Sequence, residues 1–227
     1  MKKLPVTLLA LAANAMCVSG ASATDFNLFD WATYKDGTVV TQPGSPVIPG
    51  LASIFDLIFT TAGTHAAIGF VDVEIDESIN TFFNEFGETS GSLPAVQSWE
   101  IDEPEYVFGD IWTNFSSGVL DNTNAVPDTS PDDVSMALGW DFTLDPGYTA
   151  KASYFLSAVA PSSGFYLTHT DPDSDASLYF YSTLSITPNC QPGTPGCNPI
   201  PEPSMAWLFA PALAGLVWTR RRSKKAA

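Results

Sequence analysis

Val71-Asp72-Val73-Glu74-Ile75-Asp76 alternates apolar and acidic residues without a break. In an extended chain successive side chains leave opposite faces, so Val71, Val73 and Ile75 share one face while Asp72, Glu74 and Asp76 share the other. A helix would scatter both sets around its axis. The stretch therefore predicts a strand with one face on a core and one acidic face toward solvent.

Working outward, His65–Phe70 leads into this strand, and similar short runs predict strands over Ser53–Thr60, Gln97–Ile101, Tyr106–Asn114, Val134–Leu144, Thr149–Ala158, Phe165–Thr170 and Ser177–Ile186. No stretch of the body sustains a long 3.6-residue period; a helical turn around Glu77–Glu85 is the one local exception expected. Asp145-Pro146-Gly147 and Asp171-Pro172-Asp173-Ser174-Asp175 carry turn residues in fitting order and predict two successive hairpins. Gly87–Pro94 and Asp121–Pro131, rich in Gly, Ser, Asn, Asp and Pro, read as loops. Short strands with frequent turns and no fixed repeat predict an all-β fold, an antiparallel β-sandwich of jelly-roll type, in place of a propeller or solenoid.

The ends of the chain differ in kind from this body. Met1-Lys2-Lys3 precedes an uncharged, mostly apolar segment through Val18, and Ala21-Ser22-Ala23 supplies small residues. This pattern predicts a secretory signal peptide over 1–23 with cleavage after Ala23, before Thr24. Met16 ahead of Cys17 is a poor fit to lipoprotein processing. At the other end, Pro201-Glu202-Pro203 is followed by 16 uncharged residues, Ser204–Thr219, then by Arg220-Arg221-Arg222, Lys224 and Lys225. As a helix the apolar run would reach about 24 Å, slightly short of the roughly 30 Å hydrocarbon core. Trp207 and Trp218 sit near its two ends, and the basic cluster predicts a cytoplasmic C-terminus. Pro211 and Gly215 weaken the helix, which suits a transient anchor.

Between these ends, residues 24–200 suffice for one domain with a real core. The expected β domain covers 24–187, and a Pro-rich linker covers 188–200. Seven of the nine basic residues lie in the ends, leaving Lys35 and Lys151 against 24 acids, a formal body charge of −22. Such a surface repels phosphate backbones and anionic lipid, so nucleic acid is excluded as a partner. It also repels acidic polysaccharide unless divalent cations bridge the two. With Cys17 removed, Cys190 and Cys197 remain, separated by six residues; an even pair in an exported chain predicts a small disulfide loop.

Signal peptide, Pro201-Glu202-Pro203, short apolar helix and Arg220-Arg221-Arg222 together resemble the PEP-CTERM proteins of Gram-negative bacteria, over residues 201–222. That resemblance implies a sorting signal read by an exosortase, cutting near Pro201–Pro203 after transient residence in the inner membrane, with signal peptidase acting first. It implies release or transfer to the cell surface or extracellular matrix, and association with exopolysaccharide and biofilm production. Asp121-Asn122-Thr123-Asn124, Pro131–Phe142, Ser163–Leu167 and Thr170–Asp173 look like a body type recurring among the same proteins, which implies location and fold and brings no catalytic residues.

Candidate chemistry in the body is sparse. Asp171, Asp173 and Asp175 alternate as an EF-hand loop begins, but Ala176 stands where Gly is needed and Ser182 where a closing Glu belongs, so a hairpin turn with solvated acids is the expectation. Asp121, Asp128, Asp132 and Asp133 form a second candidate calcium loop. Core packing is expected of Trp31, Trp99, Trp112 and Trp140, with Trp112 the residue to examine for stacking on sugar. His65 and His169 are the only histidines, and neither a Gly-x-Ser-x-Gly elbow nor a free cysteine supports nucleophilic catalysis. The expectation is a non-enzymatic structural or adhesive surface protein without a required cofactor. The competing class is a carbohydrate-binding, lectin-like module, with or without Ca²⁺.

Overall fold

The computed structural model describes residues 25–45, 52–76, 81–104 and 109–189. The alternating stretch lies at the end of one long strand. We number the elements in chain order: β1 Phe26–Lys35, β2 Thr38–Ser45, β3 Ala52–Phe59, β4 Gly63–Ile75, β5 Phe86–Ser90, β6 Gln97–Asp102, α1 Ile111–Ser117, β7 Ser135–Leu144, β8 Tyr148–Ser157, β9 Tyr166–Asp171 and β10 Ala176–Pro188. All strand pairs are antiparallel, in two five-stranded sheets ordered β2-β1-β4-β7-β6 and β3-β8-β10-β9-β5. The expected all-β, antiparallel, two-sheet architecture is what forms.

The inner faces meet as period 2 dictates. Leu28, Val71, Val73, Met136 and Leu138 of the first sheet share one buried cluster with Phe59, Tyr154, Leu167 and Phe180 of the second. Tyr154 donates its hydroxyl to the Ala67 carbonyl at 2.8 Å, so the largest fully buried side chain reaches across with its polar end satisfied. Trp140 is similar: its Nε1 donates to Ser182 Oγ at 2.9 Å, and Gln97 Nε2 donates to the same oxygen at 2.9 Å. Trp31 stacks on Phe55 with centroids 5.3 Å apart, and Trp99 packs against Phe165 at 6.1 Å. Three of the four body tryptophans thus serve the inter-sheet core.

Four expectations are corrected. Within the segment read as a strand over Tyr106–Asn114, residues 111–114 instead begin α1, whose Ile111 and Phe115 lie four residues apart on one face and are fully buried. Gly118 ends α1 at φ +80°, its N–H bonded to the Asn114 and Phe115 carbonyls, while the Tyr34 ring lies where a Cβ would stand. Second, Asp145-Pro146-Gly147 is no hairpin. It carries the chain from β7 in one sheet to β8 in the other, because both edges of β7 are taken by β4 and β6, and both edges of β8 by β3 and β10. The second turn does form a hairpin, with Asp171 opposite Ala176. Third, β5 occupies the start of the expected Gly87–Pro94 loop, pairing with β9. Fourth, β1 and β2 are additional to the expected strands. The turn around Glu77–Glu85 is a 3₁₀ turn at Phe82–Asn84.

Among the described residues, no helix is long and apolar enough to cross a membrane. The signal-peptide positions Ala21, Ala23 and Thr24, the pair Cys190 and Cys197, and the sorting residues Pro201, Glu202, Pro203, Arg220, Arg221 and Arg222 lie outside the described residues.

Candidate functional site

The outer face of the first sheet carries the unusual chemistry. Residues facing outward on β1, β4, β7 and β6 line up across the sheet in rows: Tyr34, Ile68, Gly139 and Ser98; then Ala32, Phe70, Ala137 and Glu100; then Asp30, Asp72, Ser135 and Asp102. The first two rows are largely apolar, and α1 covers them: Ile111 and Phe115 pack with Ala32, Ile68, Phe70 and Ala137 in a second buried cluster. Glu100 lies fully buried beneath the helix, where its Oε1 accepts from Asn114 Nδ2 at 2.8 Å.

The third row is acidic. Asp30 stands directly opposite Asp72 on the neighbouring strand, a placement in which like charges oppose sheet formation. Asp72 is 4 % exposed, and its Oδ1 has no hydrogen-bond partner. The acidic face expected to meet solvent is therefore partly buried, and Glu74 is only half-exposed. Beside the row opens a cleft of about 390 Å³, lined by Asp30, Asp72, Phe70, Thr41, Pro104 and Trp112. Trp112 meets Phe70 edge to face at 5.3 Å. The tryptophan singled out for sugar stacking thus sits on a helix at a cleft, outside the inter-sheet core.

Burial and mutual repulsion set the ionisation here. The Asp72 carboxyl is pushed up to about 8, first by desolvation and then by the charges of Asp133, Glu74, Asp30 and Glu85. Asp133 rises to about 6 through desolvation and the Glu85 charge, with His169 opposing. Desolvation lifts Glu100 to about 7 against the bond from Asn114. Asp102 is also raised by desolvation, opposed by the N–H groups of Asp110 and Glu103, which donate to its two oxygens at 2.7 and 2.8 Å.

The candidate calcium loops are rearranged. Asp133 leaves its neighbours and gathers with Asp72 and Glu74, one oxygen of each lying within 4.8 Å of the others. Asp121 gathers in the same way with Glu100 and Asp110. Its Oδ1 also accepts from the Thr123 N–H and hydroxyl at 2.9 and 2.7 Å, an Asx turn. Asp132 pairs by backbone with Glu85, and Asp128 is exposed. Asp171 is fully buried rather than solvated. Its two oxygens accept from the Asp173 N–H and from the Ser174 N–H and hydroxyl, so it builds the hairpin turn. Asp173 accepts from the Thr81 N–H at 2.9 Å and Asp175 is exposed; these three gather no cation set among the described residues.

Asp30, Asp72, Glu74 and Glu100 were not singled out by sequence. For Asp72 and Glu74 the available signal was two carboxylates within one strand, each flanked by β-branched residues, in a body with only Lys35 and Lys151 to pair them. Each histidine pairs with a carboxylate, and His169 Nδ1 is buried without a partner. His65 Nδ1 meets Asp36 Oδ2 at 2.8 Å and its Nε2 donates to the Thr61 carbonyl at 2.8 Å, which raises its pKa, the Asp36 bond first. His169 Nε2 meets Glu85 Oε2 at 2.6 Å with both side chains fully buried. Comparison of this chain with protein-family models, with curated proteins and with solved structures gives no match.

Proposed function

We propose that this chain is an exported, non-enzymatic adhesive protein of the cell surface or extracellular matrix, sorted by an exosortase through its Pro201–Arg222 signal and holding exopolysaccharide in the outer-face cleft. The observation that carries the binding role is the pairing of Trp112 and Phe70 with Asp30 and Asp72 around one cleft. The half-buried Trp112 indole offers the apolar side of a pyranose a place to stack, and the Asp30 carboxylate beside it accepts hydrogen bonds from its hydroxyls. A body charge of −22 favours neutral sugars over uronates. The membrane helix of the tail belongs to this proposal, as does the jelly-roll type of the sandwich. The latter is supported by the chain crossing between sheets at each step from β2 to β6 and again from β7 to β8.

Sorting is tested by intact mass of the protein from cells and medium. A species beginning at Thr24 and ending near Pro201–Pro203 supports it, and a membrane species retaining Arg220–Ala227 sinks it. Binding is tested by retention of the full-length chain on insoluble neutral polysaccharide: Trp112→Ala should release it while leaving the buried-tryptophan fluorescence unchanged. Equal retention of variant and wild type would remove the cleft from the proposal.

A further inference from the structure

Asp72 and Glu74 project from the outer face of β4, and Asp133 lies in the segment that enters the neighbouring strand β7, so three carboxylates from two chain segments face one point. One oxygen of each lies within 4.8 Å of the others. Oxygens bound to a single calcium ion at about 2.4 Å stand no more than about 4.8 Å apart, so the set has the dimensions of such a site. Proximity alone is common among acidic side chains. What distinguishes this set is Asp72: it is almost wholly buried, and its Oδ1 is left without any hydrogen-bond partner. A buried polar atom without a partner costs free energy that a bound cation would recover.

No internal cation is free to fill the role. Lys35 and Lys151 are the only basic side chains between the two ends of the chain. Both are engaged on β3 of the other sheet, Lys35 donating to the Ile58 carbonyl at 2.6 Å and Lys151 to Asp56 at 2.8 Å. His169 is held by Glu85.

We propose that Asp72, Glu74 and Asp133 bind a calcium ion that neutralises the acidic row beside the cleft. The donors are all carboxylate oxygens, which suits a hard divalent cation, and a set of three protein carboxylates suits calcium better than magnesium, which keeps most of its waters. Glu74 and Asp133 are only half-buried, which leaves room for water to complete the coordination. The Glu100, Asp110 and Asp121 grouping supports no such claim, because the buried Glu100 already has partners in Asn114 and the Asp121 N–H.

The test uses the full-length chain in detergent, stripped with a chelator, with calcium chloride as the only added ligand and no polysaccharide present, so it stands apart from any failure of the sugar-binding role. Titration calorimetry should show one calcium bound per chain, and the melting temperature should rise with calcium concentration. Asp133→Asn should weaken calcium at least about tenfold, since affinity follows the count of ligand charges. Asp72→Asn should lose the thermal response while melting no lower than wild type in chelator, which separates loss of a ligand from loss of the fold. Asp121→Asn should respond as wild type does. Absence of calcium binding at millimolar concentration overturns the proposal, as does calcium binding that survives both Asp72→Asn and Asp133→Asn or disappears in Asp121→Asn.

Discussion

Replacing Asp72 by Asn should make the metal-free protein more stable near neutral pH and flatten its response to pH. Burial first, and then the charges of Asp133, Glu74, Asp30 and Glu85, raise the Asp72 pKa from 3.8 to about 8. In the unfolded chain the same carboxyl ionises near its ordinary value. Between these two values the folded state keeps a proton that the unfolded state has lost, so stability falls as pH rises through the window, at up to about 1.4 kcal/mol per pH unit for one such group. From about pH 5 to about pH 7 Asp72 alone accounts for at most about 3 kcal/mol, a large part of a typical domain's total. The other shifts have the same sign. Glu100, Asp102, Glu103, Asp133 and Asp141 are all raised, and His65, also raised, contributes stability below its unfolded value that is lost as pH passes its folded one. The assay is urea unfolding followed by tryptophan fluorescence, in chelator, at steps from pH 4 to pH 8. Wild type should weaken steadily, whereas Asp72→Asn should match it near pH 4 and exceed it near pH 7, with a shallower slope. A wild-type stability that is level or rises across the window, or a variant that falls as steeply as wild type, would refute the reasoning.

Other perturbations probe the scaffold. Ser182→Ala leaves Trp140 Nε1 and Gln97 Nε2 as buried donors without their acceptor and should cost about 1–3 kcal/mol for each, read by urea unfolding. Gly69→Ala sets a Cβ about where the rings of Phe55 and Tyr154 already lie, at 2.5 and 2.7 Å, and should cost about 1–3 kcal/mol by overpacking, read as a lowered melting temperature. Asp36→Asn removes the carboxylate that holds the His65 imidazolium. The variant should lose stability mainly below about pH 6, where the unfolded histidine is also protonated, and approach wild type at higher pH. An equal loss at pH 5 and pH 8 would contradict that assignment.

Much of the fold was legible because period 2 survives wherever only one side of a strand is buried. The runs Val134–Leu144, Thr149–Ala158 and Ser177–Ile186 differ from the observed strands by at most two residues at either end. The β1–β2 hairpin was equally legible and still missed. Asp36-Gly37 joins Lys35 to Thr38 with both turn residues at positive φ, 47° and 87°, the two-residue turn for which Asp-Gly is a strong local signal. Asp145-Pro146-Gly147 shows the opposite failure. Turn chemistry specifies that the chain reverses; the plane of reversal depends on which strand edges remain open, and that is decided by residues far away in sequence.

Asp72 marks the boundary of such reasoning most clearly. Alternation with Val71 and Val73 places its side chain on the face opposite the inter-sheet core, and that placement is correct. Alternation is silent on whether a further layer covers that face. Over the neighbouring Ala32, Phe70 and Ala137 that layer is α1, drawn from a segment whose own apolar spacing is ambiguous between strand and helix until Ile111 and Phe115 find Phe70 and Ala137 to pack on. Next along the outer face of β4, Asp72 is buried too, with its Oδ1 unpartnered and another aspartate opposite. Trp112 of α1 lines the same cleft as Asp72, so loosening the helix with Phe115→Ala should admit water beside that carboxyl and return it toward its ordinary value. Carboxyl titration followed by NMR in that variant would show the shift; a value still near 8 with the helix displaced would mean that the acidic row, and not the cover, sets it.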